Sequence, residues 1–178
     1  MKKIDIKTDR LHLRIFTIKD ITPKYVAALN DEEVIKLTES RYRKWNMASV
    51  KKYVGEKANK ANESLMIGIF LKGGEHIGNI RLHSFSVYNK RVEVGILIWD
   101  RNEWGKGYAT EALNAVSNYI FNILKLNKIC AEYYSINKAS AKMFKKLRFK
   151  TEGVFKNHFI INNKYIDAVR IAKFNLKD

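Results

Sequence analysis

Apolar and polar residues alternate along much of this chain with the period of two that is typical of strands. The alternation predicts a first strand at residues 10–16 and a later meander of three strands, the first two joined by a glycine-containing turn at 72–75. A closing strand pair is predicted around Asn162 and Asn163. The predicted strands after the first are residues 64–71, 76–86, 91–99, 128–134, 150–161 and 165–175.

Elsewhere apolar residues recur every three or four positions, which is the period of helices. Residues 19–60 show this pattern, with a second segment at 48–60, and residues 138–147 predict a short helix. A longer helix is predicted at 111–124. Its predicted buried face carries Ala112, Val116, Tyr119 and Ile123. The order of elements predicts an α/β fold with a mixed sheet, in a single domain spanning residues 1–178.

The composition favours a folded, cytoplasmic protein with a basic surface. Of the 178 residues 46% are hydrophobic, with one proline and one cysteine, so neither disorder nor an internal disulfide is expected. No apolar run approaches the ~20 residues of a membrane span, and no secretory leader is recognised. The net charge of +16 is scattered, which favours a phosphorylated cofactor or an acidic substrate over nucleic acid. The four histidines lack metal-like spacing, so no metal site is expected.

The strongest chemical signal is a glycine turn between a predicted strand and a predicted helix. Its sequence is Trp104, Gly105, Lys106, Gly107, Tyr108, Ala109 and Thr110. Backbone N–H groups at a helix N-terminus point at an anion, and glycine lets a phosphate approach the main chain. The spacing is neither that of nucleotide triphosphatases nor that of dinucleotide folds. The turn predicts a phosphate site of another kind, with a plain tight connection as the alternative.

This turn resembles the pyrophosphate signature of the GNAT N-acetyltransferase superfamily, and within it the RimJ/RimL-like branch. The signature of Arg or Gln, two residues, Gly, one residue, and Gly or Ala falls on Trp104, Gly107 and Ala109, with tryptophan in the first position. The resemblance covers nearly the whole chain. It also rests on residues 8–14, 77–80, 137–140 and 165–167. It implies a GNAT-type, mostly antiparallel central sheet flanked by helices, with splayed strands forming an acyl-CoA slot.

The resemblance implies acetyl-CoA as co-substrate and assigns the residues that hold it. Backbone N–H groups of the glycine turn hold the pyrophosphate, one strand pairs with the pantetheine arm, and the start of the next helix hydrogen-bonds it. The expected coenzyme-binding residues are Leu97, Ile98, Trp99, Trp104, Gly105, Lys106, Gly107, Tyr108, Ala109, Thr110, Asn137, Ser140 and Phe144. Phe144 stands where many relatives carry a tyrosine that protonates the leaving thiolate. Either the thiolate leaves unassisted or another hydroxyl serves, from Tyr108, Tyr133, Tyr134 or Ser140.

Acetyl transfer to an amine needs a group that takes the amine proton. Two carboxylates on adjacent predicted strands are candidates. Glu93 interrupts an apolar run and points away from it, and Glu132 lies five residues before Asn137, where some relatives carry their proposed base. For each glutamate the alternative is a solvated charge or an ion pair.

The expected function is acetyl-CoA-dependent N-acetylation by direct attack of a primary amine on the thioester. The acceptor is expected to be a small molecule or a peptide: a protein N-terminus, with ribosomal proteins among the candidates, or a nucleotide-linked amino sugar. Polyamines are disfavoured because a basic surface repels a polycation. The expected acceptor contacts are Trp45, His83, Phe85 and Tyr134. The alternative function is a non-catalytic acyl-CoA- or RNA-binding module on this fold. A homodimer is a further expectation.

Overall fold

The computed structural model describes residues 4–60 and 63–175 and contains one eight-stranded sheet flanked by helices. The strands are β1 (Asp5–Lys7), β2 (Leu11–Ile15), β3 (Ser64–Leu71), β4 (His76–Ser86), β5 (Arg91–Ile98), β6 (Lys128–Tyr134), β7 (Lys150–Ile161) and β8 (Lys164–Phe174). The helices are α1 (Pro23–Ala28), α2 (Glu32–Ile35), α3 (Met47–Tyr53), α4 (Tyr108–Asn122) and α5 (Lys138–Lys146), and 3-10 turns lie at Ile18–Asp20, Glu39–Tyr42 and Arg101–Glu103. The strand order is β1-β2-β3-β4-β5-β6-β8-β7, and all pairs are antiparallel except β5–β6. The predicted fold class is therefore confirmed.

The structure differs from the sequence pattern mainly in the N-terminal half. Residues 19–60 form short helices rather than long segments, since capping side chains start new helices within the pattern: Thr22 accepts from the Tyr25 N–H at 3.2 Å and Asp31 caps α2. The three residues of β1 are too few to show alternation. Ile123, expected in the core, is 44% exposed because α4 ends one residue earlier.

Strands β5 and β6 separate after a short parallel pairing. They pair only at Arg91 with Lys128, Val92 with Ile129 and Glu93 with Cys130, and both strands then continue without each other. We call this opening the fork. It is the splayed slot expected from the sequence, and beyond it the facing backbone edges of β5 and β6 carry N–H and C=O groups available to a ligand.

The sheet separates two hydrophobic cores. One core packs α4 and α5 against one face of the sheet and includes Val92 and Val94. The other packs α1, α2 and α3 against the opposite face and includes Trp99. Because side chains alternate along a strand, Glu93 lies on the face of α1–α3, as expected. No helix in the described ranges is long and apolar enough to cross a bilayer.

Candidate active site

The glycine turn presents a set of backbone N–H groups at the start of α4. Gly105 and Gly107 have φ values of +75° and +84°, a left-handed conformation that glycine adopts without strain. Within residues 4–60 and 63–175, no acceptor bonds the N–H groups of residues 105–110. The first N–H groups of a helix point outward from its N-terminus, and the dipole of α4 adds partial positive charge at this end. The geometry thus fits an anionic group such as a pyrophosphate.

A clamp from the N-terminus holds this turn, and the sequence pattern does not reveal it. Arg10 binds Glu111 of α4 through Nη2 and Oε2 at 2.6 Å and donates from Nη1 to the Lys106 carbonyl at 2.9 Å. The Thr8 hydroxyl donates to Glu111 at 2.6 Å. Although burial acts in the opposite direction, the hydrogen bonds from Thr8 and Arg10 lower the pKa of Glu111. Residues 8–14 contribute to the family resemblance, but only the structure shows that Thr8 and Arg10 position the turn.

The backbone groups at the end of β5 differ in direction from those predicted to contact pantetheine. The Trp99 N–H donates to the Ile77 carbonyl at 3.0 Å, so it is bonded to β4. Antiparallel strands alternate the direction of their backbone groups, which places those of Leu97 toward β4 and those of Ile96 and Ile98 toward the fork. The Ile98 carbonyl already accepts from Nε1 of Trp104 at 2.8 Å. Ile96 and the Ile98 N–H are therefore better placed to pair with a ligand than Leu97 or Trp99.

The two predicted carboxylates lie at the mouth of the fork, on the face of α1–α3. Glu93 is the last β5 residue paired with β6, and Arg170 of β8 binds both of its oxygens, one at 2.7 Å. Glu132 lies beyond the pairing, directly opposite Arg170 in the β6–β8 register. Its nearest ion-pair partner is His158, 3.9 Å away. The side chains of Glu93 and Glu132 are 21% and 24% exposed, so both remain accessible at the edge of solvent.

Of the four predicted acceptor contacts, His83 and Tyr134 lie on the face of α1–α3. His83 pairs with Glu93 across β4 and β5, and burial followed by the charge of Arg81 lowers its pKa. The Tyr134 hydroxyl binds both Glu39 and Arg41, and its ring stacks on Phe159 with centroids 3.8 Å apart. Burial and the bond to Glu39 raise the pKa of Tyr134, so this hydroxyl keeps its proton.

The other two predicted contacts lie elsewhere. A β-bulge between His83 and Ser86, with Ser84 at a φ of 51°, changes the alternation of β4. Phe85 consequently packs against the core of α4 and does not lie with His83 and Tyr134 on the face of α1–α3. Trp45 packs against the core of α1–α3 and contacts Tyr53, with ring centroids 5.6 Å apart.

The start of α5 places the remaining coenzyme candidates. Asn137 caps the helix, because its Oδ1 accepts from the Ser140 N–H at 3.0 Å. Phe144 is buried between aromatic rings: it stacks on Tyr133 with centroids 5.9 Å apart and meets Phe149 edge-on at 5.0 Å. The position therefore contributes packing and offers no proton.

Comparison with known proteins assigns this arrangement to a family. A model of the Acetyltransferase (GNAT) domain matches residues 10–150. The uncharacterized N-acetyltransferase YoaA of Bacillus subtilis (strain 168) is 29% identical over 169 residues, which cover 92% of each chain. The structure of spermidine N-acetyltransferase from Vibrio cholerae in complex with CoA and spermine has a TM-score of 0.83 at 20% identity and covers 94% of this chain and 96% of that one. Ribosomal-protein-S5-alanine acetyltransferase from Vibrio fischeri has a TM-score of 0.85 at 21% identity and covers 97% of both chains.

The family match spans more than half of the chain, and the chain belongs to the GNAT acetyltransferases. It is an enzyme that transfers an acetyl group from acetyl-CoA to an amine. The prediction of an acetyltransferase is confirmed, in preference to a non-catalytic module. No cluster of metal-ligating side chains is found in the described part of the chain.

Proposed function

We propose that a primary amine attacks the thioester of acetyl-CoA directly at the fork, with Glu132 as the group that takes the amine proton. The observation that supports this most is the position of the fork, which opens between the phosphate-binding turn and two carboxylates on one face of the sheet. The pyrophosphate binds the N–H groups of residues 105–110 and the pantetheine arm pairs with Ile96 and Ile98. The new C–N bond forms as the C–S bond breaks, giving an amide and free coenzyme A.

The contacts of the two glutamates favour Glu132 as the base. Both oxygens of Glu93 are engaged by Arg170, and taking a proton would cost Glu93 this ion pair. Glu132 has a longer contact with His158 and lies past the last paired residue of the fork. A base needs free lone pairs within reach of the proton, directly or through one water. Glu93 of β5 instead holds the side chain of Arg170, which belongs to β8 on the other side of β6.

For the leaving thiolate we propose Tyr133 as the proton donor. Its ring stacks on Phe144, the residue in the position where many relatives carry a tyrosine. The Tyr134 hydroxyl is occupied by Glu39 and Arg41, and the Tyr108 ring lies under Arg10, with Cζ 4.5 Å from the ring centroid. Among the candidate tyrosines, Tyr133 is the one with a ring contact to Phe144 in the described residues.

The acceptor that we propose is a protein N-terminus or a nucleotide-linked amino sugar. The likeness to a ribosomal-protein-S5-alanine acetyltransferase supports the RimJ/RimL-like branch and a ribosomal protein as a candidate partner. The likeness to a spermidine N-acetyltransferase supports a polyamine as the competing acceptor. The cytoplasmic location and the homodimer stay predictions, and light scattering on the purified protein tests the homodimer.

A thiol-release assay tests this proposal. Free coenzyme A is measured from acetyl-CoA with N-terminal peptides, UDP- and dTDP-linked amino sugars, and spermidine, each with its product confirmed by mass spectrometry. We expect release with one of the first two classes, and mass gain at the amine. Turnover of spermidine alone would contradict the proposed acceptor, whereas a trapped acetyl-enzyme would contradict direct attack.

A further inference from the structure

Arg81 of β4 is an exposed cation on the strand next to β5, and no carboxylate in the described ranges pairs with it. Its Nε donates to the Ser64 hydroxyl at 3.1 Å, and its guanidinium lies 5.7 Å from the Tyr53 ring centroid. Among the described residues no acidic side chain forms an ion pair with it. Both Nη groups of Arg81 are therefore available to an anion, and a guanidinium binds carboxylate and phosphate in a bidentate manner.

The strand register places the Arg81 backbone on β4, one strand away from the fork. Arg81 pairs with Gly95 across β4 and β5, and Gly95 is the residue two positions beyond Glu93, where β5 has left β6. A Cβ built on Gly95 meets nothing within 4 Å, so the space above this part of the sheet is open. An amine that reaches the fork over Gly95 passes within about one strand spacing, ~5 Å, of the Arg81 backbone.

The charges around this opening do not favour a polycation. In the described part of the chain, the carboxylates named at this opening each have a cationic or histidine partner: Glu39 with Arg41, Glu93 with Arg170 and Glu132 with His158. A polyamine would therefore have to displace existing partners of these carboxylates. Among the described residues at this opening, the Arg81 guanidinium has no carboxylate partner, and an anionic acceptor would supply one.

We infer that the acceptor amine carries an anionic group, a carboxylate or a phosphate, and that Arg81 binds this group while the amine enters the fork over Gly95. This inference rests on the proposed acetyl transfer and narrows its acceptor class. It makes Arg81 a residue that determines specificity and takes no part in the chemistry.

The test compares pairs of acceptors that share an amine and differ in charge. One pair consists of two peptides with aspartate or asparagine at the second position, and the other consists of a UDP-linked amino sugar and the free amino sugar. Spermidine is measured alongside both pairs. For wild type we expect kcat/KM to favour the anionic member by roughly 10- to 100-fold, the size of a charge-assisted pair. In Arg81→Met the preference should fall to about 1, and Arg81→Lys should restore part of it. The matched control is Arg91→Met, at an exposed arginine of the neighbouring strand β5 in the stretch paired with β6, which should keep the wild-type preference.

A binding measurement separates this inference from the proposed transfer. Titration of each acceptor into the protein saturated with coenzyme A shows the same preference without any turnover. Equal affinity for both members of every pair, or an unchanged preference in Arg81→Met, would overturn the role of Arg81 even if acetylation proceeds. Tight binding of the anionic members that is lost in Arg81→Met would uphold it even if no acceptor in the panel is acetylated.

Discussion

The two glutamates at the fork differ in their contact with Arg170. It forms a two-point contact with Glu93 and lies opposite Glu132 across β6 and β8. The hydrogen bond and the charge of Glu93, with a smaller effect of Glu132, raise the pKa of Arg170 despite its partial burial. A permanently charged group at this point orients the carboxylate of Glu93 and occupies both of its oxygens, so neither oxygen is free to accept the amine proton.

Replacing Glu132 by Gln should lower kcat by at least about 100-fold, because general-base assistance is worth about that much. The affinity for acetyl-CoA should stay unchanged. Glu93→Gln is the matched control on the adjacent strand, and it should mainly lower the melting temperature because Arg170 loses its partner. A larger kcat loss in Glu93→Gln than in Glu132→Gln would reverse the assignment.

His76 is held neutral inside an aromatic cluster. Its ring contacts Phe16, Tyr25, Phe70 and Trp99, with centroids 4.6 to 5.2 Å away. Nε2 lies 2.8 Å from the Gly78 carbonyl, so it carries the ring proton, and the buried Nδ1 has no partner among the described residues. Burial therefore lowers the pKa of His76 to about 4, since a second proton would have no acceptor.

This histidine should make stability depend on pH between about 6.5 and 4. The unfolded chain, with a histidine pKa near 6.5, binds the proton more readily than the folded one. The contribution of neutral His76 to the free energy of unfolding is therefore complete above pH 6.5 and is lost as the pH falls toward 4. The loss amounts to about 3 kcal/mol. Urea unfolding of wild type and His76→Phe across this range measures it, with His158→Phe at an exposed position as control. Parallel curves for wild type and His76→Phe would rule out this origin.

At the scale of elements, the site depends on how β2, the turn and α4 are fastened together. The clamp of Arg10 and Thr8 on Glu111 fixes the first turn of α4, and two left-handed glycines bring the preceding backbone around. The N–H groups of the turn are already oriented, so the pyrophosphate binding that we propose there needs no ordering of a loop, and this preorganisation retains binding energy.

Gly107→Ala should weaken acetyl-CoA binding, because a side chain in the left-handed region costs about 1–2 kcal/mol and turns the backbone N–H groups away. Isothermal titration should show a dissociation constant raised by roughly 10-fold or more. Gly74→Ala introduces the same strain at a φ of +95° in the distant β3–β4 turn, so it should cost stability and leave acetyl-CoA affinity intact. Equal affinity in both variants would show that the conformation of Gly107 is unimportant for binding.

The sequence predicted most of the strands and helices that carry the candidate site, and the features that it missed depend on contacts between distant residues. The alternation of Val92, Glu93 and Val94 was sufficient to predict that Glu93 lies on the face opposite the two valines, because successive side chains of a strand point to opposite faces of the sheet. The bulge at Ser84 moved Phe85 to the other face, and no local pattern marks it. The ion pair of Arg170 with Glu93 joins residues 77 positions apart. It arises from the strand order, which sequence periodicity does not encode.

At the scale of the whole molecule, the charge of +16 belongs to the surface more than to the site. The carboxylates at the fork are matched by arginines and a histidine, while many lysines on the outside have no partner in the described ranges. Such a surface attracts an anionic cosubstrate over a distance of about one Debye length, ~8 Å at physiological salt. We therefore expect the charge to act on the encounter with acetyl-CoA, separately from the chemistry that we propose at the fork.

Salt should therefore slow the encounter of the protein with acetyl-CoA more than its encounter with an acetyl donor that lacks phosphates. Raising ionic strength from about 0.02 to 0.5 M should lower kcat/KM for acetyl-CoA several-fold, because screening shortens the range of the attraction. S-acetylpantetheine, which has the same thioester and no phosphates, is the matched donor, and its kcat/KM should change little. Stopped-flow measurement of the two donors at five salt concentrations gives the comparison. An equal decline for both donors would mean that salt acts on the protein or the acceptor, and that the basic surface has no part in capturing the coenzyme.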